Sequence, residues 1–480
     1  MTEQPIDSAA PGAAVSRPHY PVSILPGIVL AVDTAILILC AVLSCDYFVI
    51  LNAGNSETYV FVGACTIAVT LLLFHRAELY EVDALMRPVR QSDMILIGVV
   101  TSFLFLASML IGLGADDTVS KIWLVTFAVS SIIAVSAGRV GLFLLLRRLG
   151  RAGVIVRSVA VLGAGEQAQR CLERVTEVRP YLTRVNGVYA DDGPGGEVAG
   201  YPQRGSTGRL LEHVRAGRID DVVVAMPWQA DEELARTVEQ LKELPVNVYI
   251  ASDLAGFRLT FRPVMGSLNQ LAMFEVEKKP ISGWSSVLKI LEDYILAGII
   301  LLLISPLLAL VAIAIKIDSP GPVFFMQKRL GFNNQVFEIF KFRSMYHREI
   351  PEERVQQATK GDPRITRVGR FIRATSIDEL PQLLNVLNGT MSLVGPRPHA
   401  LSHNEEYGRQ IRGYFARHKV KPGITGWAQV NGLRGETEAL EEMEARIRHD
   451  VYYADNWSLL FDLRILVTTG LVLFFQKSAY

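Results

Sequence analysis

The sequence predicts a membrane α plus α/β protein: a four-helix transmembrane bundle, a cytoplasmic α/β domain, and an α-rich C-terminal domain anchored by a re-entrant membrane helix. Three observations predict it. Four apolar runs, at about 23–50, 58–74, 93–114 and 122–146, fill the first third of the chain, each near the roughly 20 residues that a helix needs to cross the hydrocarbon core. At about Val154 the pattern changes to alternating strand-like and helical segments, which read as α/β. A fifth apolar stretch, 290–315, carries Ser305-Pro306 in its middle and basic residues on both flanks.

At 480 residues the chain is too long for one core and divides into several domains. We read a polar N-terminal tail over 1–22, the bundle over 23–150, the α/β domain over 154–275 and the C-terminal domain over 285–480, with its re-entrant helix at about 289–316. Formal net charge is zero and half the residues are hydrophobic, which argues against a nucleic-acid binder and against a disordered chain. Mean hydropathy is positive. The residues before Val22 are polar and proline-rich, and the run that follows is too long for the apolar region of a cleaved signal. Cys40, Cys45, Cys65 and Cys171 show no metal or disulfide spacing and read as small apolar fillers.

Orientation follows from the loops of the bundle. His75, Arg76, Arg87 and Arg90 lie between the second and third runs, and Arg147, Arg148 and Arg151 follow the fourth. The loops 52–58 and 115–120 hold acids and no base. Positive charge stays in the cytoplasm, so both ends of the bundle face inward. Asp33 is the one clear carboxylate inside a run. It is either functional or held by water or a partner near the helix end.

In the middle of the chain, the short apolar run 158–162 leads into Gly163-Ala164-Gly165 and a helical stretch to Val178. A second strand ends near Tyr189 with Asp191 and Asp192 behind it, and 221–226 and 246–250 are further strands around a helical stretch at 230–244. This is a Rossmann-like βαβ order with a parallel sheet. The glycine turn either cradles a phosphate, with a nucleotide or nucleotide-sugar as the best ligand, or serves packing alone. Ala168 at the third fingerprint position and the late acids weaken the ligand reading.

The stretch 290–315 is long enough to span. Proline at position 306 removes a helix hydrogen bond, and Ser305 can repair it by bonding the freed carbonyl. Lys278, Lys279 and Lys289 precede the stretch, while Lys316, Lys328, Arg329, Lys341 and Arg343 follow it. A spanning helix places one of these clusters outside; a helix that enters one leaflet, breaks at Ser305-Pro306 and returns keeps both inside. A proline-kinked spanning helix is the alternative. Lys289 and Asp293 stand one turn apart at its mouth, as a local ion pair or as a site where Lys289 attracts a lipid phosphate.

From Ser319 onward the chain is dense in glycine, proline, arginine and paired acids. Asp378 and Glu379 precede Pro381, which requires a helix to begin just before it and puts both acids in its first turn. Ser376-Ile377-Asp378-Glu379 also fits a capping box. Capping alone does not account for the cations around it, Lys341, Arg343, Arg364, Arg367, Arg370, Arg373 and Arg397. That set suits a diphosphate substrate, whose charge must be neutralised by arginines and a divalent metal before a carboxylate can approach. Mg²⁺ needs only one or two protein carboxylates beside phosphate oxygens, which leaves the other acid free to attack phosphorus.

The segment from about Lys289 to the C-terminus resembles the bacterial polyprenyl-phosphate hexose-1-phosphate transferases, the monotopic phosphoglycosyltransferases. The resemblance rests on Ser305-Pro306, the DELPQ motif at 378–382, Pro396-Arg397-Pro398 and the VKPGITGWAQVNG stretch at 420–432. The four runs and the Rossmann-like domain resemble the N-terminal part of the large members. It implies that Asp378 is a nucleophile forming a phosphosugar-aspartyl intermediate with release of UMP, and that Glu379 binds Mg²⁺. It further implies that Arg373 binds phosphate, that Pro396, Arg397 and Pro398 help bind the nucleotide, that undecaprenyl phosphate is the acceptor, and that the chain is a homodimer. Lys341 and Arg343 join the expected substrate-binding set. Arg434-Gly-Glu-Thr437 resembles the glucose-specific, exopolysaccharide-initiating members, with UDP-galactose as the alternative donor.

Leu459–Phe475 reads as an amphipathic helix on the membrane surface or as a core helix. Two other functions need other signals. A membrane nucleotide-sugar dehydratase needs a strong dinucleotide site followed by Tyr-x-x-x-Lys, and a non-catalytic assembly scaffold needs the acids only as caps.

Overall fold

Four long apolar helices come first, α1 (Leu25–Asn52), α2 (Ser56–Arg76), α4 (Pro88–Gly112) and α5 (Lys121–Arg151), with the single-turn α3 (Val82–Leu85) between α2 and α4. The computed structural model describes residues 22–52, 56–86, 88–114, 119–178, 182–191, 196–226, 231–251, 273–347, 362–433 and 440–475. Helix α1 packs on α2 and α5, and α4 packs on the same two, so the four close a ring. Leu37, Phe74, Val99 and Val135 fill its interior at one level and Tyr59, Trp123 and Phe127 at another. Leucines, valines and isoleucines cover the outer surface, which suits a hydrocarbon solvent. Asp33 has a partner there: Arg139 Nη2 lies 2.6 Å from its Oδ2, and Arg139 also donates to the Leu79 carbonyl and lies over the Tyr80 ring. None of the four cysteines forms a disulfide.

The α/β part is one seven-stranded sheet. Along the chain run β1 (Arg157–Leu162), α6 (Glu166–Val178), β2 (Thr183–Tyr189), β3 (Glu197–Val198), β4 (Tyr201–Gly205), α7 (Thr207–Arg215), β5 (Asp221–Val224), α8 (Asp231–Lys242), β6 (Asn247–Ala251) and β7 (Met273–Glu277). The order across the sheet is β3-β4-β2-β1-β5-β6-β7. Its β2/β4, β1/β5 and β5/β6 pairs are parallel, but the edge pairs β3/β4 and β6/β7 are antiparallel, so the sheet is mixed where a parallel one was expected. For β3/β4 the reason is local. Ala199 and Gly200, both at positive φ, form a two-residue turn, too short for the crossover that parallel strands need.

The glycine turn has a packing reason. Gly163 sits at φ +120°, and a Cβ there would lie 2.3 Å from the Ala225 carbonyl oxygen. Asp191, behind β2, accepts the Thr207 N–H at 2.9 Å and its hydroxyl, capping α7. Asp192 lies outside the described residues.

The C-terminal part begins with α9 (Trp284–Asp318). The chain stays helical through Pro306, without the interruption expected at Ser305-Pro306. Pro306 leaves the Leu302 carbonyl without its usual donor, and the Ser305 hydroxyl donates to that oxygen at 2.8 Å, which is how the helix tolerates the proline. Both halves of α9 rest on one globule. Ala297, Ile300 and Ile304 pack with Ile339, Leu383 and Leu393, and Val311 and Ile315 pack with Phe342 and Ile372.

That globule consists of β8 (Phe324–Leu330), β9 (Val336–Phe342), α10 (Arg367–Ala374), α11 (Gln382–Leu387), β10 (Ser392–Val394), α12 (Leu401–Gln410), β11 (Gly423–Thr425), α13 (Trp427–Val430), α14 (Leu440–Asp455) and α15 (Leu459–Phe475). Strands β8 and β9 form an antiparallel hairpin, and β10 and β11 a parallel pair. Helix α15 combines the two readings of its sequence. Ile465 and Asp462 are buried in the core, while Leu460, Leu463, Val467 and Leu471 are exposed.

Lys289 is ion-paired within the protein. Its ammonium is buried among acids, 2.5 Å from Asp462 Oδ2, 3.1 Å from Asp293 Oδ1 and 3.6 Å from Glu292 Oε2. Asp293 also accepts from the Ser392 hydroxyl and the Leu393 N–H, and Asp462 from Tyr453 and Trp457. The ion pair is local, and it pins α9 to β10 and α15.

The hairpin tip docks on the end of α7. Asn333, at φ 55°, donates its amide to the carbonyls of Val214 and Arg215 at 3.2 and 2.6 Å, satisfying the C-terminal end of α7. Asn334 Oδ1 lies 2.5 Å from His418 Nδ1, and Lys419 pairs with Glu277 at 2.7 Å. Burial and then Arg417 push the His418 pKa down to about 3, so this imidazole is neutral.

Candidate active site

Helix α10 delivers the chain to the acids. Thr366 caps it by accepting the Gly369 N–H at 2.9 Å, and Asp318 accepts from the Val368 N–H at 3.0 Å. Gly369 is required: a Cβ there would lie 1.9 Å from the Ser344 carbonyl oxygen, so α10 could not seat against the strand end. Arg373 stands in its last turn. Ser376 then adopts a left-handed conformation at φ 57°, a backbone cost that turns the chain sharply. Asp378 and Glu379 follow on a 3₁₀ turn, Ile377–Glu379.

The acids are thus one turn ahead of where their sequence put them. Helix α11 starts at Gln382 with Pro381 at its cap position, and no side chain caps either the turn or the helix. The capping box is not formed. The Glu379 N–H bonds the Ser376 backbone oxygen at 3.2 Å instead.

The two carboxylates are in opposite electrostatic states. Glu379 Oε1 accepts from Lys341 Nζ at 2.8 Å and from Arg397 Nη2 at 2.6 Å, and its Oε2 accepts from Arg397 Nη1 at 3.1 Å. Burial alone raises its pKa, but Arg397 and Lys341 outweigh that and hold it well below the usual carboxylate range. Asp378 accepts no hydrogen bond from the described residues. Burial, and then the Glu379 charge, push its pKa up to about 6 against the pull of Lys341, Arg373 and Arg397. One acid is locked and ionised; its neighbour is unencumbered, as a carboxylate that attacks must be.

Arg397 is set by its loop. The Gly395 N–H bonds the Thr425 carbonyl and the Gly423 N–H bonds the Pro396 carbonyl, both at 2.9 Å. A Cβ on Gly423 would lie 2.1 Å from the Gly395 nitrogen, so the two strands meet only with glycine there. Pro396 is buried, and Pro398 is half-buried on the far side of Arg397.

Of the expected binding residues, Lys341, Arg373 and Arg397 come together around the acids. Arg343 does not. It is buried, and its guanidinium bonds the Pro320 carbonyl at 2.7 Å and the Ser319 carbonyl and hydroxyl at 2.6 and 3.0 Å. It closes the C-terminal end of α9, where free carbonyls attract a cation. Arg364 is held by Asp362, and Arg367 and Arg370 are exposed on α10.

Other functional positions had no sequence signal. Arg417, fully buried, donates to the Arg397 carbonyl at 2.6 Å, pairs with Asp450 at 2.8 Å and meets His399 Nδ1 at 2.5 Å. His399 and Asn404 both bond the Tyr414 hydroxyl, at 2.7 and 2.8 Å. This network fixes Arg397 from behind, and its members lie up to 53 residues apart in sequence, from Arg397 to Asp450. Arg434 and the three residues after it lie outside the described residues.

Among the described residues no three His, Cys, Asp or Glu gather into a metal cage. Asp378 and Glu379 nevertheless fit a hard divalent ion. Among the described residues Glu379 Oε2 accepts from Arg397 and Asp378 accepts no hydrogen bond, and Mg²⁺ takes most of its ligands from water and phosphate.

Residues 284–476 match the bacterial sugar transferase family, and residues 75–252 match the CoA-binding domain family. The UDP-glucose:undecaprenyl-phosphate glucose-1-phosphate transferase of Escherichia coli K12 is 43% identical over 368 residues, covering 76% of this chain and 77% of that one. The enzymes of the same name from Klebsiella pneumoniae and Xanthomonas campestris are 42% identical over 354 residues and 38% over 384. These alignments cover 72% and 76% of this chain, and 75% and 76% of the relatives.

Proposed function

The chain belongs to the bacterial sugar transferase family as a membrane phosphoglycosyltransferase, and on that premise we propose that it moves glucose 1-phosphate from UDP-glucose to undecaprenyl phosphate and releases UMP. The observation that carries the chemistry is the contrast between Asp378, which accepts no hydrogen bond from the described residues, and Glu379, held by Lys341 and Arg397.

A carboxylate oxygen of Asp378 attacks the phosphorus that bears the sugar. The Asp378 O–P bond forms as the bridging P–O bond to UMP breaks, and UMP leaves with that electron pair. An oxygen of undecaprenyl phosphate then attacks the same phosphorus, displaces Asp378 and regenerates its carboxylate. Lys341, Arg373 and Arg397 orient and neutralise the phosphates. Glu379, with Asp378 beside it, would hold Mg²⁺, which supplies further charge neutralisation at the diphosphate.

The setting supports a site at the cytoplasmic face of the inner membrane. Both halves of α9 pack on the one globule, although 35 residues of straight helix would reach about 52 Å. Basic residues flank it at both ends, which favours a helix that enters and leaves by the same leaflet. The exposed leucines of α15 suit lipid contact beside it. The ring of α1, α2, α4 and α5 is read as a spanning bundle, since each is long and apolar enough to cross a membrane.

UMP release from purified protein with Mg²⁺ and undecaprenyl phosphate tests the reaction, with UDP-glucose and UDP-galactose compared side by side. UMP from UDP-glucose at a clearly higher kcat/KM supports the reading. No UMP from any UDP-sugar would remove it.

A further inference from the structure

The β8–β9 hairpin carries a cation that the site as described does not use. The antiparallel register pairs Phe325 with Lys341, Gln327 with Ile339 and Arg329 with Phe337. Directly paired residues share a face, and successive odd positions along β8 share it too, so Arg329 and Gln327 stand on the face of Lys341. A backbone bridge from Arg329 to Ala400 ties the same residue to the loop that follows Arg397.

The two cations already named are neutralised by Glu379, which takes one hydrogen bond from Lys341 and two from Arg397. Among the described residues Arg329 has no such partner. Its Nη2 donates to the neutral Gln327 Oε1 at 2.6 Å, and its Nε is buried without a hydrogen bond. Among the described residues no carboxylate lies within ion-pair distance of it. Burial, and then the nearby Arg397 charge, depress its pKa to about 10, with Glu379 acting against them. A guanidinium desolvated beside another guanidinium is unfavourable until an anion joins it.

We propose that Arg329 binds a phosphate of the nucleotide donor: with Gln327 holding one prong of the fork, its remaining N–H groups receive a diphosphate oxygen between the hairpin and the Arg397 loop. This rests on reading the site as a nucleotide-sugar transferase. It gives the donor a cation that forms no ion pair with a carboxylate of the described residues.

The test uses the full chain with Mg²⁺, comparing wild type with Arg329→Gln and Arg329→Lys. KM for UDP-glucose comes from UMP release, and the affinity for UDP from calorimetry and from the rise in Tm that UDP causes. Arg329→Gln is expected to weaken UDP and raise the UDP-glucose KM about ten- to a hundredfold, the loss typical of a charge-assisted phosphate contact. The KM for undecaprenyl phosphate is expected to stay the same. Arg329→Lys, which keeps the charge but not the fork, should fall between the two. UDP affinity unchanged in Arg329→Gln overturns the proposal. Should that variant fail to fold, UDP affinity unchanged in Arg329→Lys overturns it equally. Failure of the transferase reading looks different, because wild type would then release no UMP at all.

Discussion

Arg397 grips Glu379 with both terminal nitrogens, Nη2 at 2.6 Å from Oε1 and Nη1 at 3.1 Å from Oε2. The grip fixes the plane of the Glu379 carboxylate and keeps it charged beside a neighbour that is not held. Lysine at this position keeps the charge and loses the fork. Arg397→Lys is therefore expected to lower kcat/KM for UDP-glucose by about ten- to a hundredfold, with Arg397→Ala lower still. UMP-release kinetics measure it, and wild-type kcat/KM in Arg397→Lys would show that the fork is dispensable.

Asp378 gives the reaction its pH dependence. Its pKa is raised to about 6, so below that value the nucleophile carries a proton. The kcat/KM for UMP release should rise with pH through about 6 at limiting metal, then level off. The stability consequence has the opposite sign. The folded state binds this proton more tightly than the unfolded state, so Asp378 costs stability as pH rises from the ordinary carboxyl range through the folded pKa. Asp378→Asn removes that cost. In metal-free buffer at pH about 7.5 its Tm should exceed that of wild type, and at pH about 4 the two should converge. An equal or lower Tm for the variant at the higher pH contradicts the shift.

Lys341, on β9, and Arg343, just past its end, lie two residues apart and do different work. Arg343→Ala strips the Ser319 and Pro320 carbonyls of their donor at the end of α9 and should lower stability by roughly 2–3 kcal/mol, with KM for UDP-glucose unchanged. Lys341→Ala should raise that KM and leave Tm close to wild type. Thermal unfolding in detergent, run beside the kinetics, separates them. An Arg343→Ala protein of normal Tm and raised KM would return Arg343 to the substrate.

Lys289→Met leaves Asp293, Asp462 and Glu292 facing one another without their cation. Breaking a buried ion pair from one side typically costs about 3–5 kcal/mol, and the loss here should appear as a lower Tm and easier proteolysis around α9. If Lys289 served a lipid phosphate instead, Lys289→Met would spare Tm and raise the KM for undecaprenyl phosphate.

The parts of the molecule that local pattern controls were legible in the sequence. Apolar runs of membrane length gave α1, α2, α4 and α5, and the Gly163 turn marked the first βα unit. Adjacent acids before Pro381 and an arginine between two prolines drew attention to Asp378, Glu379 and Arg397. What stayed hidden depends on contacts between distant segments. Nothing near Lys289 reveals that Asp462, 173 residues later, closes over it. Arg343 and Arg329 look like Lys341 in a list of cations; only the register and the hydrogen bonds show that one closes a helix and another makes no ion pair among the described residues. The turn at Ala199-Gly200 was readable, and with it the antiparallel edge, but the βαβ rhythm dominated that reading.

In the proposed cycle Asp378 carries the sugar phosphate covalently. Incubating the protein with Mg²⁺ and UDP-glucose labelled in the phosphate next to glucose, without lipid acceptor, tests it most directly. The expected result is labelled protein with the phosphosugar on Asp378 by peptide mass spectrometry, loss of that label on adding undecaprenyl phosphate, and no label in Asp378→Asn. Unlabelled wild-type protein that still makes lipid-linked product at full rate would contradict it and point to direct attack by the lipid phosphate.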